Sequence, residues 1–215
     1  MKLWKLLTTL GATAVVSAFV FSSAQGAVKD TKHNMNNVFG TNTIQDNQVC
    51  LPCHAPHNQP DPTLNTLWNH VMPDQTKYKL WDGAEGLDET SRKCLSCHDG
   101  TVAVDSFGGG AGTQQLTGGL LGTDLTNDHP IGEGAIWPNP NPSYMVDPAL
   151  RTAAGIMPLR NLADGRAAVG CTSCHEPHNR KNQANMLWVN NSGAATTVDG
   201  RAVSGSALCL NCHKK

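Results

Sequence analysis

Apolar residues gather at one end of the chain and are scattered thinly along the rest. Leu6–Phe21 is a mostly apolar run behind the basic Lys2 and Lys5, and small residues follow it. This pattern predicts a secretory signal peptide over residues 1–26, cut after Ala24 or Gly26. The run is short for a membrane span and contains Thr8, Thr9 and Gly11. Beyond it nothing could cross a bilayer, and no apolar periodicity is long enough for a helix bundle. Gly108–Gly122, G-G-G-A-G-T-Q-Q-L-T-G-G-L-L-G, reads as loop by composition. Prolines at 138, 140, 142 and 148 bar a regular helix from residues 137–149. The expected fold is therefore mainly irregular with short α-helices.

Composition turns this sparseness into a question about the core. Removing 26 residues from 215 leaves 189, with aromatic content of only 5% over the chain and with Gly 21 and Pro 12. So few large apolar groups would struggle to bury a conventional core. Either part of the chain is disordered, or something other than protein fills the middle. Charge narrows the partners. Lys+Arg is 16 and Asp+Glu 17, and the signal takes two lysines, so the mature chain is near −3 (14 − 17). That balance builds no basic face for nucleic acid.

The cysteines answer the question of the core. All eight lie in C-x-x-C pairs, and a histidine follows each pair: Cys50/Cys53/His54, Cys94/Cys97/His98, Cys171/Cys174/His175 and Cys209/Cys212/His213. This is the signature of covalent c-type haem attachment. On one helical turn, positions i, i+3 and i+4 share a face, so two thiols reach the two vinyl groups. The adjoining histidine meets the iron from the same side. Four disulfides would suit a secreted chain but give no reason for the histidines. Paired zinc sites would leave the same four histidines unexplained. The sequence thus predicts four covalently bound haem c groups, and a compact core of four stacked haems.

The chain is also an imperfect duplication. C-L-P-C-H-A-P-H-N at Cys50–Asn58 returns as C-T-S-C-H-E-P-H-N at Cys171–Asn179, an offset of 121 residues. Leu67-Trp68 answers Leu187-Trp188, and C-L-S-C-H at 94–98 answers C-L-N-C-H at 209–213. The expected organisation is a first dihaem module over 27–106, a glycine-rich linker over 107–128 and a second dihaem module over 129–215. Short helical turns are expected at each attachment motif, with Trp68 and Trp188 packing on haem faces.

Four histidines serve as proximal ligands, which leaves His33, His57, His70, His129 and His178 for the second position on each iron. Met35, Met72, Met145, Met157 and Met186 are the thioether alternatives. Two imidazoles per iron imply low potentials and no vacant coordination position, which suits electron transfer. His57, three residues beyond His54, cannot reach the opposite face of the same ring. Pro56 pushes Ala55 out of helical geometry, so His57 is directed to the iron of a neighbouring haem, as is His178 after Pro177. One short segment then grips two haems and holds them close.

The motifs K-H-N-M-N-N at 32–37, C-H-A-P-H-N at 53–58, L-W-N-H at 67–70, C-L-S-C-H-D-G-T-V-A-V at 94–104, N-D-H-P-I-G at 127–132 and C-H-E-P-H-N at 174–179 span nearly the whole mature chain. Together they resemble the multihaem cytochromes c with a doubled C-x-x-C-H motif that abound in metal-reducing bacteria. The resemblance implies that His33 and His129 are distal ligands alongside His57 and His178. His70 is the odd one, because its counterpart after Leu187-Trp188 is Asn190. Either it does not ligate, or one of the five histidines serves an iron in the next subunit. The latter echoes tetrahaem relatives that polymerise head to tail into filaments. The expected function is a secreted periplasmic or outer-surface tetrahaem electron carrier whose partners are redox proteins and, outside the cell, a metal oxide. The alternative is a multihaem reductase of nitrite, hydroxylamine or a sulfur oxyanion, which would need one open haem site.

Overall fold

The computed structural model describes residues 28–39, 48–137, 144–146, 158–191, 196–198, 201–203, 205 and 207–214. The expected signal peptide and most of the proline-rich stretch lie outside these residues. The chain divides into two units between Val49 and Cys50. The described part of the first is a short turn followed by helix α1 (Asn36–Phe39). There, Asn34 Nδ2 reaches back to Lys29 O at 2.8 Å and the His33 N–H donates to Thr31 Oγ1 at 3.1 Å.

Among the described residues the second unit is mostly irregular, with few helices and two small antiparallel ribbons. Its longest helix among them is α2 (Glu89–His98), which starts where Asp88 caps it. The Asp88 carboxylate accepts from Ser91 N at 2.9 Å, and Glu89 adds negative charge to the first turn. Helix α3 (Cys171–Cys174) is a single turn. Strands β1 (Arg160–Asn161) and β2 (Ala167–Ala168) pair antiparallel, as do β3 (Thr196–Val198) and β4 (Arg201–Val203). Neither ribbon is among the expected elements. Each carries Asp-Gly between its strands, at 164–165 and 199–200, which is a strong local signal for a hairpin. Among the described residues no helix is long and apolar enough to cross a membrane.

The apolar core is small. Tyr78, Leu80, Leu95 and Leu125 form its buried centre, and Ala84, Leu87 and Ile131 pack around it. Much of the remaining interior is polar: Ser91, Ser96, Ser173 and Glu176 are among the most completely buried side chains. Hydrogen bonds therefore carry the joints of this unit. At the main one, Ser91 Oγ donates to Asp88 and accepts from Cys171 N at 3.0 Å, fastening the cap of α2 to the start of α3. Gly170 makes that approach feasible, because a Cβ there would lie 2.5 Å from Asp88 Oδ2 and 2.8 Å from Ser91 Oγ.

Candidate functional site

Each attachment motif is wound as one helical turn. The amides of His54, His175 and His213 donate to the carbonyls of Cys50, Cys171 and Cys209 at 2.8, 3.0 and 2.9 Å. The motif at 94–98 is the last stretch of α2. This winding sets both cysteines and the histidine of a motif on one face. After the turn the backbone extends. His175 has φ −107° and ψ 140°, and the residue after it precedes a proline.

The two long motifs then hydrogen-bond to a downstream segment in the same manner. Ala55 N donates to Leu67 O and Asn69 N to Cys53 O, at 2.8 and 3.0 Å. In the second copy Glu176 N donates to Met186 O and Trp188 N to Cys174 O, at 2.6 and 3.1 Å. Met186 thus takes the place of Leu67, and Trp188 that of Asn69. The sequence pairing of Leu67-Trp68 with Leu187-Trp188 is off by one residue in space. The cause is length, since the second copy has one residue fewer between its histidine and its Leu-Trp. The two indoles consequently do different things. Trp68 stands edge-on to the His54 ring with centroids 6.4 Å apart, whereas Trp188 Nε1 donates to Thr172 O at 2.8 Å.

Three proximal imidazoles are oriented alike. The Nδ1 atoms of His54, His98 and His175 lie 2.7, 2.8 and 2.9 Å from the carbonyls of Thr66, Gly119 and Asn185. A carbonyl only accepts, so Nδ1 carries the proton and Nε2 is left as a lone pair for a metal. Thr66 and Asn185 present these carbonyls from left-handed backbone, with φ 70° and 55°. For β-branched Thr66 that conformation is strained. Lys93 helps to hold it, because its buried ammonium donates to Asn65 O at 2.8 Å and Thr66 Oγ1 at 3.1 Å and pairs with Glu89 at 2.5 Å. Gly119 belongs to the stretch expected as a linker, and the Leu121 amide of that stretch also donates to His98 O at 2.8 Å.

The imidazoles converge in twos. The His54 and His178 rings are nearly parallel, with centroids 6.1 Å apart and an interplanar angle of 15°. The His129 and His213 rings are 6.2 Å apart at 74°. Two imidazoles binding one metal from opposite sides, with bonds of about 2 Å and each nitrogen ~1.1 Å from its ring centre, put their centroids roughly 6 Å apart. Both pairs match that span. Among the described residues no group of three or more His, Cys, Asp or Glu converges as a metal cage. A structural zinc site takes four protein ligands, whereas a porphyrin iron asks the protein for only two. Paired imidazoles beside paired cysteines therefore fit haem.

Three further histidines remain. His57, which follows its proline, is exposed, as His129 and His178 are, and His33 lies half-buried in the first unit. His70 is 3% exposed, with Nδ1 2.9 Å from Val71 O and Nε2 3.1 Å from Ala103 O. Nε2 also lies 3.5 Å from Cys97 Sγ, so the ring sits between two loops and against the second attachment motif. Asn58 and Asn179, which close the two P-H-N sequences, adopt φ 50° and 51°. Their tolerance of left-handed backbone lets the chain turn sharply behind His57 and His178.

Cys50 and Cys209 are exposed, and the partly buried Cys53 and Cys97 agree with a neutral thioether. Burial, with the Cys97 and Cys50 thiols adding to it, pushes the Cys53 thiol up to about 12, and burial likewise pushes Cys97 up to about 11. The Cys94 and Cys171 thiols hydrogen-bond each other across the joint between α2 and α3, which raises Cys94 and lowers Cys171. A thioether has no charged form, so burial costs it little.

A family model described as the doubled CXXCH motif matches residues 165–215, covering the third and fourth attachment motifs. The chain carries the motif of multihaem c-type cytochromes. No curated protein matches it. This feature indicates covalently bound haem c and electron transfer, and the first two motifs repeat its pattern outside the matched segment.

Proposed function

We propose that this chain is an exported tetrahaem c-type cytochrome that passes electrons through four closely spaced haems, each iron held between two histidines. Haem supplies one-electron chemistry at iron; the chain attaches it, sets its axial ligands and spaces it from the next. The observation that carries the reading is the pairing of His54 with His178 and of His129 with His213 at the span of two axial ligands. On this reading His178 of the second copy serves the motif of the first. By the same exchange His57 serves the motif of His175, and His33 is the remaining distal candidate. Closeness is supported by the joint between α2 and α3, where Cys171 N donates to Ser91 Oγ at 3.0 Å, since each helix carries a different attachment motif.

Cys50, Cys53, Cys94, Cys97, Cys171, Cys174, Cys209 and Cys212 carry the thioethers, and His54, His98, His175 and His213 are the proximal ligands. The partners are redox proteins in the periplasm or at the cell surface, with a metal oxide as the extracellular acceptor. Head-to-tail self-association is read by sizing and electron microscopy of the purified holoprotein, where a uniform monomer at high concentration would refute a filament.

The test of the core reading is haem content by mass and by pyridine haemochrome, together with the oxidised spectrum. Four covalent haems, all low-spin, and no carbon monoxide binding by the reduced protein are expected. A high-spin signal or carbon monoxide binding would instead support a reductase with an open iron.

A further inference from the structure

The two C-H-x-P-H-N segments differ at one position, Ala55 in the first and Glu176 in the second. We propose that Glu176 is a positioning residue that fixes the His178 imidazole and makes the iron it serves harder to reduce than the iron served by His57. The two copies would then be electronically unequal. This inference rests on the ligand reading above.

Glu176 is 1% exposed, and both of its carboxylate oxygens are engaged. Oε1 accepts from His178 N and faces His178 Nδ1, each at 3.2 Å. Oε2 accepts from Arg180 N at 2.5 Å and from Arg180 Nε at 3.3 Å. A carboxylate on Nδ1 demands the proton there, which leaves Nε2 as the lone pair of the ring that lies nearly parallel to His54. The His54, His98, His175 and His129 rings rest Nδ1 on neutral carbonyls, those of Thr66, Gly119, Asn185 and Pro130.

An anionic acceptor draws the Nδ1 proton more strongly than a carbonyl does. The imidazole becomes more basic, and the more positive, oxidised iron is favoured. The carboxylate itself is buried, and its contact with Nδ1 is direct, although the His178 side chain is 49% exposed. Arg180 opposes this effect, but its side chain is 62% exposed and its charge is largely screened by solvent. The net sign therefore follows the carboxylate. At the equivalent place in the first copy Ala55 offers no such group, so His57 lacks this push.

The test is a spectroelectrochemical titration of the holoprotein and of Glu176→Gln, which keeps the shape and one acceptor while removing the charge. The haem whose signal is lost in His178→Met is the one to follow. In E176Q its reduced-to-oxidised ratio at fixed potential should rise about tenfold, the scale of second-shell partners, which is 59 mV for a one-electron couple. The haem assigned through His57→Met should not move. An unshifted or lowered potential, with all haems still low-spin, would overturn the inference. Arg180→Gln provides the opposite sign, lowering the same potential by leaving the carboxylate uncompensated; if E176Q yields no holoprotein, the absence of that drop would overturn it. If the holoprotein holds no low-spin haem with two imidazoles, the functional reading fails and takes this inference with it.

Discussion

Replacing His178 by methionine should erase one particular electron-spin resonance signal, and the structure says which kind. Each axial imidazole perturbs the two iron orbitals that interact with its π system, lifting their degeneracy along a direction set by the ring plane. Two rings reinforce each other when parallel and cancel when perpendicular, so the combined splitting follows the cosine of the angle between them. For His54 and His178 at 15°, that is about 0.97 of the maximum; for His129 and His213 at 74°, it is about 0.28. The first iron should thus show a rhombic low-spin signal, and the second a strongly anisotropic one with a large principal g value. Low-temperature spectra of oxidised wild type minus His178→Met should isolate the rhombic component. Wild type minus His129→Met should isolate the anisotropic one. Two difference spectra of the same type, or the reverse assignment, would refute the pairing of rings.

Two further expectations concern the joints that hold the site. The Glu89 carboxyl is raised by burial, but hydrogen bonds from Lys93 and Asn65 outweigh this and leave it below the ordinary range. Its contribution is therefore present above the unfolded value of about 4.3 and lost as pH falls through the lower folded value. Glu89→Gln should cost about 1–2 kcal/mol at pH 7 in denaturant unfolding. The gap should close in the acid range, and a gap constant throughout would refute the assignment. Gly170→Ala forces a Cβ into Asp88 Oδ2 and Ser91 Oγ, with Arg160 Cγ 3.1 Å away. It should cost about 1–3 kcal/mol in thermal unfolding, and an unchanged melting temperature would show that the α2–α3 joint is slack.

The attachment motifs were legible in the sequence because their chemistry is local. Two thiols and an imidazole at i, i+3 and i+4 need nothing beyond one helical turn. The partners of those imidazoles were not legible, because they are backbone carbonyls. Thr66, Gly119 and Asn185 contribute no side chain to the interaction, so no residue type marks them. The Leu-Trp repeat misled for a related reason: side-chain identity was preserved while backbone register moved by one residue. The Asp-Gly hairpins carried a readable signal that a search for helix periodicity passes over. His70 illustrates the limit of counting. Its sequence context has no counterpart in the second copy, yet its ring lies between two carbonyls with Nε2 3.5 Å from Cys97 Sγ, a position that no count of histidines supplies.

Stability and electronic properties share atoms in this chain. A greasy core repacks when one residue changes, but an interior built on Ser91, Ser173 and Glu176 has directional bonds that cannot slide to new partners. The path from Glu89 shows the consequence. Its carboxylate holds Lys93, Lys93 holds the strained turn at Asn65 and Thr66, and Thr66 O fixes Nδ1 of His54. Glu89 touches no imidazole, yet its loss should loosen the orientation of one. Glu89→Gln should therefore broaden the rhombic signal assigned to His54 and His178, because the ring angle that sets its splitting becomes a distribution. The anisotropic signal of His129 and His213 depends on none of these contacts and should stay sharp. Equal broadening of both signals would mean that the substitution acts through global destabilisation, and that the chain of hydrogen bonds from Glu89 to His54 does not carry the effect.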